Sequence, residues 1–174
     1  GRRLSKDLKV PIGLVGSNWG GTRIEPWTSI DGFKSVPELS DIVDKYSKYT
    51  KDSKIGHQEP TAIYNAMIHP LAPFAMRGAI WYQGEHNSGR AYQYRSLFPL
   101  MIDTWRKRWN QGDFSFYWVS LADFQDEVAE PVGSSWAELR EAQTMVMSKL
   151  PNTGEAIITD LGESHDIHPR NKQD

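Results

Sequence analysis

The chain has 174 residues, 39% hydrophobic and 24% charged, an ordinary balance for one globular domain that argues against disorder, a collagen-like repeat or a coiled coil. Its 20 basic and 22 acidic side chains leave a formal net charge of −2, so no global positive field exists to recruit nucleic acid or an anionic membrane. Cysteine is absent, which removes disulfides, thiol catalysis and thiolate metal sites together, and no apolar run reaches the roughly 18 residues of a membrane span.

The start, RRLSKDL at 2–8, reads as the tail of a helix, with no basic-then-apolar pattern of a signal peptide. Residues 10–15 (VPIGLV) form a nearly continuous apolar run ending in Gly16-Ser17-Asn18, which predicts a buried strand and a turn. Gly20, Gly21 and a Ser/Asp/Gly-rich stretch to about Ser35 predict a loop. Leu39, Ile42, Val43, Tyr46 and Tyr49 then predict a helix over 37–49, and a short helical stretch follows over 60–67. GAIWY at 78–82 predicts a second buried strand. The clearest helix is 91–109, where Tyr94, Leu97, Phe98, Met101, Ile102, Trp105 and Trp109 share one face. Residues 114–121 predict a strand, 136–150 an amphipathic helix and AIIT at 156–159 a last strand. The polar stretch 171–174 ends without a closing element, and both termini suggest a fragment or a processed chain.

Alternating strands and helices predict an α/β fold with a mainly parallel sheet covered on both sides. Ligands gather at the carboxyl edge of such sheets, and three polar clusters follow apolar runs: 17–22, 83–87 and 160–168. In the last cluster Asp166 stands two residues before His168, where a carboxylate can hold one imidazole nitrogen and leave the other to work as a base. A metal reading of His165, Asp166 and His168 is weaker, because three ligands within four residues seldom converge on one ion. Gly20 and Gly21 offer backbone N–H groups to a developing oxyanion, or form only a tight turn. Gln83 and Asn87 can donate to the same charge, Asn87 equally suits a helix cap, and Glu85 is either a structural acceptor or a partner for a base. Ser17 stands at a strand end as an activated serine would, yet no G-x-S-x-G motif accompanies it. Seven Trp and seven Tyr serve either a core or a surface for stacking sugar rings, with Trp19, Trp27 and Trp81 the candidates for the second use.

Taken in order, VPIGLVGSNWGGTRIEPWTS, PTAIYNAMIHPLAPFAMRGAIWYQGEHN, ELREAQ and DLGESHDIHPRNK resemble successive blocks of the sialate O-acetylesterase family, carbohydrate esterases of the SGNH-hydrolase superfamily. The resemblance implies a three-layer α/β/α sandwich of flavodoxin-like type and serine-dependent removal of acetyl groups from sugar hydroxyls, with no cofactor. By position it makes Gly20 and Gly21 the backbone part of the oxyanion hole, Gln83 its side-chain donor and His168 the general base. On that role, Gln83→Ala should leave the fold largely intact while activity collapses. Two departures stand out. The family's G-Q-S-N serine block precedes the first strand read here and is not in these 174 residues. The family's acid, often three residues before the histidine, is replaced by His165, leaving Asp166 as the near carboxylate.

The residues 1–174 thus read as one partial esterase domain, lacking the nucleophile strand and a C-terminal helix. In the flavodoxin-like order the absent strand lies between 10–15 and 78–82, so a second polypeptide or an upstream segment is expected to supply it with the serine. The expected partner is an O-acetylated carbohydrate, without nucleic acid or membrane insertion, and the expected setting is secreted, periplasmic or lysosomal/lumenal. The competing readings are a non-catalytic carbohydrate-binding domain, an inactive fragment of such an esterase, or an esterase that uses Ser17.

Overall fold

A computed structural model describes residues 1–126, 128–130 and 132–171, so Lys172, Gln173 and Asp174 of the terminal polar stretch lie outside it. Its helices are α1 (Arg2–Leu8), α2 (Ile30–Lys34), α3 (Ser40–Ser47), α4 (Ala91–Trp109), α5 (Ser135–Thr144) and α6 (Val146–Lys149). The strands are β1 (Gly78–Trp81), β2 (Ser115–Val119) and β3 (Thr153–Ala156). Local chemistry sets several boundaries. Ser29 Oγ accepts from Gly32 N at the start of α2, Ser134 Oγ from Ala137 N at the start of α5, and Asn110 closes α4 in the left-handed region. The stretch expected as a helix over 60–67 is a π-helical turn, Tyr64–Ile68.

The three strands are parallel in the order β1-β2-β3, with Trp81 beside Trp118 and Val119 beside Ala156. Alternation sends Trp81, Phe116 and Trp118 to one face, where they meet the apolar stripe of α4. Phe98 packs against Phe116 and Trp118, and Trp105 meets Trp81 and Phe116 edge to face. Most of the tryptophan surplus is therefore core. At the base of the sheet, buried Arg106 donates to the carbonyls of Phe114, Pro151 and Asn152, tying the entries of β2 and β3 together.

The α/β class and the parallel sheet are as expected, with three differences in detail. Residues 10–15 form no strand: Val10, Leu14 and Val15 are exposed and pair with no ladder among the described residues. An apolar run signals burial, and among the described residues nothing buries this one. The last strand is 153–156 rather than 156–159, because Arg106 and the Phe116 N–H to Asn152 O bond fix its entry early. Finally, the helical layer covers one face only. Ile80, 85% exposed, and Tyr117, 50% exposed, point from the other, so the described residues do not supply the second layer of the sandwich.

Parallel strands end at one edge. That edge carries residues 83–87 after β1, 120–126 after β2 and 157–168 after β3.

Candidate active site

Immediately after β1 the chain turns through Gly84, where only hydrogen fits. A Cβ there would lie 2.5 Å from Leu139 Cδ2 on α5, so the end of β1 is pressed onto that helix. Gln83 is buried by this turn, and its side chain is fully engaged. Nε2 donates to Thr22 O at 3.0 Å and to Asn87 Oδ1 at 2.8 Å, while Oε1 accepts from Tyr94 Oη at 3.0 Å. Burial raises the Tyr94 phenol pKa far above its ordinary value, which keeps it a donor. Gln83 therefore reaches the expected edge with both amide hydrogens committed, as a brace between β1 and the Gly20-Gly21 loop.

Asn87 does not cap α4. Its Oδ1 accepts from Ile24 N at 2.9 Å as well as from Gln83, and its Nδ2 donates to Glu25 Oε2 at 3.1 Å. Glu25, 5% exposed, is charge-paired with Arg90 at 2.6 Å. A buried carboxylate accepts only, so it fixes which way the Asn87 amide points, and Asn87 in turn orients Gln83. Gln143, fully buried on α5, donates from Nε2 to Gln83 O at 3.2 Å and accepts from Leu121 N at 3.1 Å, joining the ends of β1 and β2. Sequence reasoning assigned no role to Glu25, Arg90, Tyr94 or Gln143. The signal for Gln143 was present: an amide in the stripe of Trp136, Leu139 and Val146 is a polar group the fold must satisfy. Glu85 is half-buried, and its carbonyl accepts from Ser88 Oγ; no hydrogen bond or ion pair engages its carboxylate among the described residues.

The loop of Gly20 and Gly21 is exposed and open, with nothing within 4 Å of where a side chain would begin on either glycine. No hydrogen bond occupies the N–H of either residue among the described residues. Their neighbours are held. Gly21 O accepts from Gln58 Nε2 at 2.7 Å and lies 2.6 Å from His86 Nδ1, which must carry the proton there. Thr22 Oγ1 donates to Trp19 O and accepts from Trp27 Nε1, both at 2.9 Å. Ser17 Oγ is shielded from solvent, and among the described residues it has no hydrogen-bond partner, an imidazole included.

The third cluster folds back beneath the loop that follows β2. Gly162 makes this possible, because a Cβ would come within 2.4 Å of the Asp123 backbone, and Gln125 N donates to Ser164 O at 2.7 Å just beyond. Glu163 closes the turn by accepting from Arg170 N at 3.0 Å. Within it, Asp166 Oδ1 accepts from His168 N at 2.8 Å and stands 3.1 Å from His168 Nδ1. These two bonds, backbone first, pull the Asp166 carboxyl below its ordinary pKa. His168 thus carries its proton on Nδ1 and leaves Nε2 free, with a side chain 78% exposed. His165 turns instead toward Asp126, at 3.5 Å, and among the described residues no three His, Asp or Glu side chains gather as a metal centre would need.

Gln83 and Asn87 are therefore bonded to each other and, through Thr22 O and Ile24 N, to the segment that directly follows Gly20 and Gly21. Asp166 and His168 form a pair on the same sheet edge, joined to that group by no hydrogen bond or ion pair among the described residues. Chemically, the first group presents free backbone donors, and the second an oriented base.

A family model described as carbohydrate esterase, sialic acid-specific acetylesterase, matches residues 1–171. The chain is 34% identical over 188 residues to the human sialate O-acetylesterase, covering 99% of this chain and 35% of that protein. It is 31% identical over 211 residues to the mouse sialate O-acetylesterase, covering 99% of this chain and 39% of the relative. A solved structure, a carbohydrate acetylesterase from Xanthomonas citri, superposes with a TM-score of 0.81 at 39% identity over 99% of this chain and 36% of its own. The chain spans about a third of the length of the curated relatives it matches. By its match along nearly the whole sequence, the chain belongs to the sialic acid-specific acetylesterase family of carbohydrate esterases.

Proposed function

We propose that these residues form the oxyanion-binding and base-bearing part of a serine O-acetylesterase that removes acetyl groups from sugar hydroxyls, with the serine supplied from outside the 174 residues. The observation that carries the proposal is the Asp166–His168 pair, in which a carboxylate fixes the imidazole tautomer and leaves Nε2 as the acceptor. In the reaction, His168 Nε2 takes the proton of the serine hydroxyl as its oxygen attacks the acetyl carbon. The N–H groups of Gly20 and Gly21 receive the charge that develops on the carbonyl oxygen. His168 then returns the proton to the departing sugar oxygen, leaving an acetyl-serine that water hydrolyses with His168 again as base. Gln83 acts through Thr22, holding the glycine loop in place, and Asn87 acts through Gln83. Glu85, half-buried in the same turn after β1 and with no hydrogen bond or ion pair on its carboxylate among the described residues, is assigned to substrate contact.

An external source for the serine accords with three features: the exposed run at 10–15, the uncovered Ile80 and Tyr117, and β1 standing at the sheet edge with no neighbour on its outer side among the described residues. A missing neighbour to β1 would carry the nucleophile to the same rim. No helix among the described residues is long and apolar enough to cross a membrane, and glycan substrates suit a secreted, periplasmic or lysosomal/lumenal setting.

The test uses the intact protein, treated with a fluorophosphonate and mapped by peptide mass, beside an assay of acetate release from an O-acetylated sialoside. Labelling of a serine outside these residues, lost in His168→Ala, is expected. A label on Ser17, or no acetate released, overturns the proposal. Trp27 and Trp81 are buried and unavailable for stacking, which weakens the rival reading of a purely sugar-binding surface.

A further inference from the structure

Ile80 and Tyr117 are exposed on a sheet face that the described residues leave uncovered. Trp19 differs in three respects. It precedes Gly20 and Gly21 directly, so it stands at the mouth of the proposed oxyanion site. One face of its indole is already backed by the His57 imidazole, stacked at 4.9 Å between centroids and 12° between planes. Its backbone carbonyl is held by Thr22 Oγ1, whose own acceptor capacity is used by the buried Trp27 indole. The backbone at Trp19 is therefore anchored and one side of the ring is stacked, and yet 50% of the residue remains exposed.

A flat aromatic surface held from behind, with its front open beside a polar loop, suits one ligand chemistry: the face of a pyranose ring, whose axial C–H groups are apolar while its rim hydroxyls stay polar. The stacking on His57 matters because part of the cost of ordering a side chain on binding is then met within the fold. We infer that Trp19, backed by His57, is the subsite that stacks the sugar bearing the acetyl ester. His86 and Gln58, both bonded to Gly21 O, place polar groups on the same loop, the kind of partner that rim hydroxyls require. This inference rests on the esterase reading and extends it to substrate choice: the site selects a pyranose over an open alkyl chain before any chemistry occurs.

The experiment compares the intact enzyme with its Trp19→Ala and Trp19→Phe variants on two esters, an O-acetylated sialoside and ethyl acetate. Stacking worth the usual range for an aromatic contact predicts that the ratio of kcat/KM, sugar ester over ethyl acetate, falls about 3- to 10-fold in Trp19→Ala, mainly through KM. Trp19→Phe should recover most of it. An unchanged ratio overturns the subsite. Saturation-transfer NMR of the sugar gives an answer independent of turnover: transfer to the ring C–H protons should be seen in the wild type and lost in Trp19→Ala. Equal transfer in both proteins refutes the inference even if both are active. Absence of acetate release with transfer intact in the wild type and lost in the variant would sink the esterase reading and leave the subsite standing.

Discussion

Replacing Gln83 by alanine is the most informative single change, because the geometry reverses the expectation drawn from an oxyanion role alone. A side chain that only donated to a transient charge could be removed at little cost to the fold. Here its loss removes the 3.0 Å acceptor of the fully buried Tyr94 O–H and leaves that donor a 3.5 Å contact to Gln83 O, which Gln143 already uses. It also strips Thr22 O of its donor, whereas Asn87 Oδ1 keeps Ile24 N. Two buried polar groups deprived of partners cost about 1–3 kcal/mol for the hydroxyl and roughly 1 kcal/mol for the carbonyl, or about 2–4 kcal/mol together. The assay is urea unfolding of the intact protein followed by tryptophan fluorescence, with acetate release measured in parallel. In a Tyr94→Phe background no hydroxyl is left to orphan, so the same substitution should cost about 1–3 kcal/mol less, leaving roughly the 1 kcal/mol of the carbonyl. Turnover should fall about 10²-fold as the glycine loop loses its brace. A stability loss below about 0.5 kcal/mol, or an equal loss in both backgrounds, would show that the amide is not holding the loop.

Other substitutions probe the remaining supports. Gly84→Ala drives a methyl into Leu139 and should lower stability by about 1–3 kcal/mol, read as a drop in Tm; an unchanged Tm would mean that β1 and α5 can separate freely. Gln143→Leu keeps the volume but leaves Leu121 N–H without its acceptor, so a loss of about 1–3 kcal/mol in urea unfolding is expected, and a neutral result would deny it any bridging role. His168→Ala should slow acetate release about 10²–10⁴-fold and Asp166→Asn less severely; wild-type turnover in either removes that residue from the reaction. Because the Asp166 carboxyl has a lowered folded-state pKa, its hold on His168 is present above the ordinary carboxylate range and is lost as pH falls through the lowered value. The His168 amide resonance should report that transition at a pH below the ordinary Asp value. A midpoint at or above that value would contradict the bond.

The extent to which the sequence revealed this arrangement depended on where each signal came from. Helix α4 was legible end to end because its stripe of Tyr94, Leu97, Met101 and Trp105 is buried entirely by surfaces of the same chain, the Trp81 and Trp118 face of the sheet among them. The run at 10–15 carried as strong an apolar signal, but periodicity says that a segment wants burial, not that a partner is present. The shift of the last strand was illegible for a different reason. AIIT has the better strand composition, yet Ile157 ends 69% exposed because pairing is set from below by Arg106, a charged residue no propensity scale would place there. At the site, residue types were readable and their bonding was not. Asp166 and His168 are local in sequence, so their contact could be anticipated. The chain from Glu25 through Asn87 to Gln83 joins positions about 60 residues apart, which only the packed structure reveals.

The outer side of β1 has a further consequence for handling the isolated polypeptide. Gly78, Ala79, Ile80 and Trp81 present a row of peptide groups without a neighbouring strand among the described residues, uncharged and apolar, with no proline or lysine to discourage docking. Any extended apolar strand can zip onto such a rim, and a second copy offers its own. Prepared by itself, this polypeptide should self-associate through that rim as its concentration rises, and a short synthetic strand matched to the rim should hold it apart.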